Sequence, residues 1–163
     1  MRIREATRED FAAVLALNAE SVHFLSPLDG QRLDELHRQA AYHRVVENGG
    51  KVVAFLLAFR EGADYDSANY VWFAERYPQF LYIDRIVIAP SQRGAGLGQL
   101  LYEDIAAFAA QAGVPWLTCE FDIEPPNPVS MRFHQRMGFR EVGTQWLGGG
   151  KKQVSLQAKA ITS

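Results

Sequence analysis

The sequence predicts an α/β (α+β) fold, a central mixed β-sheet of about seven strands with helices on both faces. Three observations carry this. The run Phe80–Ala89, FLYIDRIVIA, is almost continuously apolar and β-branched, as a strand buried on both faces is. Leu97, Leu101, Ile105 and Phe108 follow at helical spacing, so that buried strand leads directly into a long helix. Two tight turns, Asn48-Gly49-Gly50 and Gly148-Gly149-Gly150, separate strand-like runs in the manner of antiparallel hairpins. Strand–helix alternation and hairpins in one chain require a mixed sheet.

The elements follow in order. Residues 2–6 form a short strand. Thr7, three residues before Asp10, makes a variant capping box that opens an amphipathic helix through Phe11, Val14, Leu15 and Leu17 to about Glu20. A second helix is expected from Ser26-Pro27, with Pro at its first position and Leu28, Leu33, Leu36 and His37 on one side. Tyr42 to Glu47 and Lys51 to Arg60 make the first hairpin. Residues 61–79 are irregular and aromatic (Tyr65, Tyr70, Trp72, Phe73, Tyr77), with a short helix over Ser67 to Arg76. Asp84 and Arg85 interrupt the buried strand, and Pro90 ends it. The long helix stops at Gly113 and Pro115. Trp116 to Ile123 is the next strand, broken by Pro125, Pro126 and Pro128, and a short helix runs from Pro128 to Met137. Phe139 to Leu147 and Lys151 to Lys159 close the chain as a hairpin.

With 163 residues, 48% of them hydrophobic, the chain reads as one domain over 1–163 and buries a core without disulfides or a structural metal. A net charge of −2 gives no long-range attraction to nucleic acid or to an anionic membrane. The start, MRIREATRED, has no apolar leader, and no run approaches the ~18 apolar residues of a membrane span, so the expected location is cytoplasmic. Cys119 is the single cysteine and is expected in the core. His23, His37 and His43 lack metal-ligand spacing and read as surface or packing residues, so no metal is expected.

The most informative stretch is Ile86 to Leu101, IVIAPSQRGAGLGQLL. Gly94, Gly96 and Gly98 open a helix after a buried strand. Glycines let the backbone approach a ligand, and free amides with the positive end of the helix dipole make a seat for phosphate oxygens. Arg93 adds a charge-assisted contact. A dinucleotide fingerprint would need glycine where Gln99 stands, and a Walker A loop would need Gly-Lys-Ser/Thr, which is missing.

Arg93-Gly94-Ala95-Gly96-Leu97-Gly98 resembles the acyl-CoA pyrophosphate loop of the GNAT N-acetyltransferases, Arg/Gln-x-x-Gly-x-Gly/Ala. Asn127-Pro128-Val129-Ser130-Met131-Arg132-Phe133-His134-Gln135-Arg136-Met137-Gly138-Phe139 is similar to the Asn-x-x-Ser/Ala…Tyr-x-x-x-Gly-Phe segment of the same superfamily, with His134 where the family has Tyr. The resemblance implies transfer of an acetyl group from acetyl-CoA to an amine, either a small molecule or a protein amine. It implies a cofactor site made by the backbone at Ile86, Val87 and Ile88, by Arg93, Gly94, Ala95, Gly96, Leu97, Gly98 and Gln99 of the loop, and by Asn127 and Ser130. It also implies a splay between Phe80–Ala89 and Trp116–Ile123 that admits the pantetheine arm, and it leaves room for a homodimer through the C-terminal strands.

Acetyl transfer needs a neutral amine, and deprotonating an alkylamine of pKa near ~10.4 at pH 7 costs roughly 4–5 kcal/mol. Glu120, which shares a strand face with Asp122 and Glu124, is the first candidate base, and Asp84 the second. His134 is the candidate acid for the leaving thiolate, against a reading in which its ring only covers the cofactor. An aromatic cleft at 65–82 with carboxylates would favour a cationic amine, against plain core packing. The competing function is a catalytically inactive acyl-CoA-binding regulatory module.

Overall fold

The computed structural model describes residues 1–21 and 25–162, and His23 lies outside the described residues. Seven strands form one sheet: β1 (Arg2–Glu5), β2 (Tyr42–Asn48), β3 (Lys51–Arg60), β4 (Leu81–Ile88), β5 (Trp116–Glu124), β6 (Arg140–Leu147) and β7 (Lys152–Ala160), in the order β1-β2-β3-β4-β5-β7-β6. Among the described residues, the α-helices are α1 (Phe11–Glu20), α2 (Gly30–Gln39), α3 (Ala68–Ala74), α4 (Leu97–Ala112) and α5 (Pro128–Arg136). The sheet is mixed: β4 and β5 run parallel, while β1–β2, β2–β3, β5–β7 and β6–β7 are antiparallel. The chain groups into two compact units, Met1–Phe59 with Ile83–Asp104, and Arg60–Tyr82 with Ile105–Ser163.

In the first unit, α1 is set by the residues just before it. The Thr7 amide and hydroxyl donate to Asp10 Oδ2 at 2.8 and 3.4 Å, and the Arg4 guanidinium grips both oxygens of Asp10 at 2.8 Å. That grip holds the buried Asp10 carboxyl down at about 2. The helix lays Val14 and Leu17 against Leu33 of α2, Val45 and Phe55 of the hairpin and Val87 of β4. Each such fully buried side chain contributes about 1.5–3 kcal/mol. α2 begins three residues later than its Ser-Pro pair suggests. Asp29 Oδ1 accepts from the Arg32 amide at 2.8 Å, so an Asp cap rather than Pro27 sets the start. The hairpin turns at Gly49 and Gly50, where φ is +62° and +78°.

The second unit is built on β5. Leu81 and Tyr82 of β4 pair in parallel with Leu117 and Thr118, and β7 pairs antiparallel from Trp116↔Ala160 to Glu124↔Gln153. Its core is aromatic: Tyr70, Phe73, Phe80 and Tyr82 are all buried, with ring centroids 5.5–6.3 Å apart. Tyr70 fixes the start of the irregular segment by donating to the Arg60 carbonyl at 2.6 Å and accepting from the Ala63 amide at 3.1 Å. The short helix of this segment is present as α3. Asn127 caps α5, its side chain accepting from the Ser130 amide at 3.2 Å, with Pro128 in the first turn. Cys119 is buried, as its position in a strand core requires.

His43 is a packing residue with a consequence for stability. It is 4% exposed, its Nδ1 lies 2.8 Å from Nδ1 of His37, and its Nε2 has no hydrogen-bond partner among the described residues. Burial, then the neighbouring His37, push its pKa down to about 4 from 6.5. Between those two values the unfolded chain binds a proton that the folded chain refuses, so stability falls as pH drops through this window. Asp10 adds its own loss only at lower pH. Urea denaturation should show stability lower by about 2 kcal/mol at pH 5 than at pH 7, and His43→Phe should flatten that slope. An equal slope in the variant would assign the acid sensitivity to other groups.

Candidate functional site

The glycine turn lies in the first unit. Pro90–Gln92 makes a single 3-10 turn after β4, and Gly94 and Gly96 take φ of +83° and +80°, a region that L side chains rarely adopt. A Cβ at either would meet nothing within 4 Å, so the backbone stands open on that side. The Leu100 amide donates to the Gly96 carbonyl at 3.0 Å as the first turn of α4 closes. The amides of Leu97, Gly98 and Gln99 therefore precede the helical ladder and have no carbonyl four residues back within it. Arg93, Ala95 and Gln99 are exposed and Leu97 is buried, anchoring the turn from beneath. The donors, the dipole and the open backbone suit the oxygens of a diphosphate.

Along β4, Val87 is buried in the first unit's core, whereas Ile86 and Ile88 are half-buried. The Asp84 and Arg85 side chains are each 5% exposed and bonded to one another, Arg85 Nε donating to Asp84 Oδ2 at 2.7 Å. Arg85 also donates to Asn18 Oδ1 and to the Ser26 carbonyl, both at 3.1 Å. Asp84 thus stands in a buried ion pair that also ties α1 to Ser26.

The second unit holds the other candidates. Glu120, half-buried on β5, accepts from the Tyr82 hydroxyl at 2.5 Å and from Asn69 Nδ2 at 2.9 Å. Asn69 Oδ1 in turn accepts from Gln145 Nε2 on β6 at 3.0 Å. Asp122 pairs with Lys152 at 3.3 Å, and Glu124 is exposed. The β5–β7 register slips between Asp122 and Glu124, which interrupts the alternation expected to carry all three acids on one face. His134 is buried, with rings of Phe121, Phe133 and Phe139 each 5.4 Å away, and its Nδ1 lies 2.8 Å from the Ser130 carbonyl. Burial pushes its pKa down despite that bond. Ser130 Oγ is 3.2 Å from the same nitrogen.

Sequence reasoning thus reached Glu120 but missed its partners. Tyr82 read as one more aromatic of the cluster, Asn69 as an anonymous helix residue, and Gln145 as part of a hairpin strand. Their convergence depends on where α3 docks. In the cluster at 65–82, Tyr70, Phe73 and Tyr82 are core, while Tyr65, Trp72 and Tyr77 are half-buried. Among the described residues, no group of three or more His, Cys, Asp or Glu is placed to hold a metal ion, and no helix is long and apolar enough to cross a membrane.

The Acetyltransferase (GNAT) family model matches residues 3–139. A phosphinothricin N-acetyltransferase of Streptomyces coelicolor is 41% identical over 59 residues, covering 36% of this chain and 33% of its own, so the match spans about a third of that protein. Among solved structures, the ribosomal-protein-S18-alanine N-acetyltransferase of Escherichia coli superposes with a TM-score of 0.74 at 15% identity, covering 99% of this chain and 94% of its own. Chaetomium thermophilum Naa20, in complex with a bisubstrate analogue, gives a TM-score of 0.76 at 18% identity, covering 99% and 87%. At these identities the two structures show the shared fold.

One of the contacts that seat α3 on β6 is made at a glycine. A Cβ at Gly143 of β6 would fall on Cζ2 of the Trp72 indole and lie 2.9 Å from its Cη2. Trp72 has little room to yield, since Phe73 packs edge-on at 5.1 Å and Arg76 lies 4.1 Å over the ring. Gly143→Ala should cost about 1–3 kcal/mol of stability and change the tryptophan emission of the folded protein. Unchanged urea midpoint and emission would mean that α3 is not seated on β6 through this contact.

Proposed function

The chain belongs to the GNAT acetyltransferase family, and from that premise we propose that it is an N-acetyltransferase that passes an acetyl group from acetyl-CoA to a primary amine by direct attack, using residues 1–163 as one catalytic domain. The observation that carries the reading is the Arg93–Gly98 turn, with its two left-handed glycines, open backbone and unladdered amides. In this reading the amides of Gly94 and of Gly96 to Gln99 and the Arg93 guanidinium hold the diphosphate, while the Ala95 amide donates to the Gln92 carbonyl and fixes the turn. The β4 backbone at Ile86, Val87 and Ile88 receives the pantetheine arm, and Asn127 and Ser130 at the start of α5 contact it. Acetyl-CoA, when bound, supplies the activated acyl group and the thiol leaving group.

Glu120 is the base. Asp84 serves less well, because its charge is matched by Arg85 in a buried pair. His134 fits the role of acid less well than the sequence suggests. Its Nδ1 is bonded to Ser130 and burial favours the neutral ring, so at neutral pH it acts mainly by packing beside Phe121 and Phe139. The acceptor is a small-molecule or protein amine. The near-neutral net charge of −2 supports neither a nucleic acid nor a membrane partner, and the reading carries a cytoplasmic location and a homodimer as further proposals.

Thermal unfolding with acetyl-CoA is the first test, with ATP and NAD as controls. Ligand at ~100 times its Kd should add about 2.7 kcal/mol, and Gly96→Glu should abolish the effect by placing a charged side chain in the phosphate seat. Stabilisation by ATP instead would overturn the donor. Thiol release against amino acids, diamines and peptides with free N-termini then tests transfer. Binding without release across the panel would favour the inactive acyl-CoA-binding module.

The assignment of the base has its own test. Glu120→Gln should lower kcat by roughly 10²–10⁴-fold with little change in acetyl-CoA affinity. Wild-type kcat in that variant would remove Glu120 from the mechanism.

A further inference from the structure

The edge strand β6 reaches Glu120 by a chain of side-chain hydrogen bonds. Gln145 Nε2 donates to Asn69 Oδ1 at 3.0 Å, and Asn69 Nδ2 donates to Glu120 Oε1 at 2.9 Å. The Tyr82 hydroxyl donates to the same oxygen at 2.5 Å and to Oε2 at 3.1 Å. Asn69 is 9% exposed and Tyr82 1%, so each donor reaches the carboxylate from a packed position rather than from solvent. Gly143, two residues before Gln145 on the same strand, receives the Trp72 indole of α3. Thus α3 is held on β6 at two points, one apolar and one polar, and the amide it carries is aimed at Glu120.

A carboxylate that must take a proton from an attacking nitrogen needs a fixed orientation, since a displacement of about 1 Å costs on the order of 10²-fold in rate. A side chain with three torsions cannot hold that orientation alone. The Asn69 amide on Oε1 and the Tyr82 hydroxyl shared between Oε1 and Oε2 define the plane of the carboxylate.

Resting on the reading of Glu120 as base, we propose that Asn69, Tyr82 and Gln145 are positioning residues for it, and that β6 sets the geometry of proton removal through α3. Gln145 acts only through Asn69. The two therefore form one unit, and their effects are not additive.

The test uses the full chain with acetyl-CoA and an amine turned over by the wild type, in the variants Asn69→Leu, Gln145→Leu and the pair together. Asn69→Leu should lower kcat about tenfold and Gln145→Leu several-fold, each with KM for acetyl-CoA unchanged. The double variant should be no slower than Asn69→Leu alone. A second measurement needs no acceptor: the side-chain 13Cδ resonance of Glu120, identified by its loss in Glu120→Gln, should move in Gln145→Leu although that residue does not touch it. If Asn69→Leu fails to fold, Gln145→Leu on the edge strand carries both measurements alone.

Wild-type kcat in folded Asn69→Leu and Gln145→Leu, an unmoved Glu120 resonance, or additive losses in the double variant would overturn the proposal while Glu120→Gln remained inactive. Wild-type kcat in Glu120→Gln would instead remove the base, and the positioning role with it.

Discussion

Placing a carboxylate on an interior strand of a sheet costs several kcal/mol unless donors converge on it, and the second unit is arranged so that they do. Glu120 stands on β5, the strand that pairs with both Leu81–Tyr82 of β4 and the whole of β7. Its neighbours must bring hydroxyl and amide groups to that point without opening the core. Tyr82 does so from the adjacent strand, with its ring in the aromatic cluster and only its hydroxyl directed at the carboxylate. Asn69 does so from α3, which is why that short helix is seated by Trp72 over a strand residue with no side chain. The irregular segment after β3 thus supplies both core rings and a donor to that carboxylate.

The first unit solves the same problem with opposite charge. Arg85 on β4 is 6% exposed, and its guanidinium is met by Asp84, Asn18 and Ser26. These partners come from β4 itself, from α1 and from the segment before α2, so satisfying one cation fixes the approach of two elements to the strand. Arg4 and Asp10 repeat the pattern at the start of α1. The turn after the strand takes left-handed glycine conformations at an exposed surface, where the backbone stands open.

Much of this was legible in the chain because it depends on local chemistry. The buried strand at 80–89, both glycine hairpins, the Thr7–Asp10 box and the glycine turn each follow from residues close in sequence, and each is present at nearly its expected limits. The start of α2 was misplaced because two local cues competed, and the Asp29 cap, with a side-chain acceptor for the Arg32 amide, outweighs Pro27. The common face of Glu120, Asp122 and Glu124 failed at a register slip that no single strand announces. Asn69 and Gln145 are 76 residues apart, and only the docking of α3 on β6 brings them together. Periodicity locates a face, but it cannot name the partner across it.

The partners of each acid separate the candidate bases more sharply than their positions do. Asp84 is bonded to Arg85 and Asp122 to Lys152, so a formal positive charge already lies against each of these carboxylates. Glu124 is exposed, and water competes for its lone pairs. Glu120 accepts from a phenol and an amide, each carried by a packed residue. Packed donors fix the direction of a carboxylate, and on that ground Glu120 is proposed as the base.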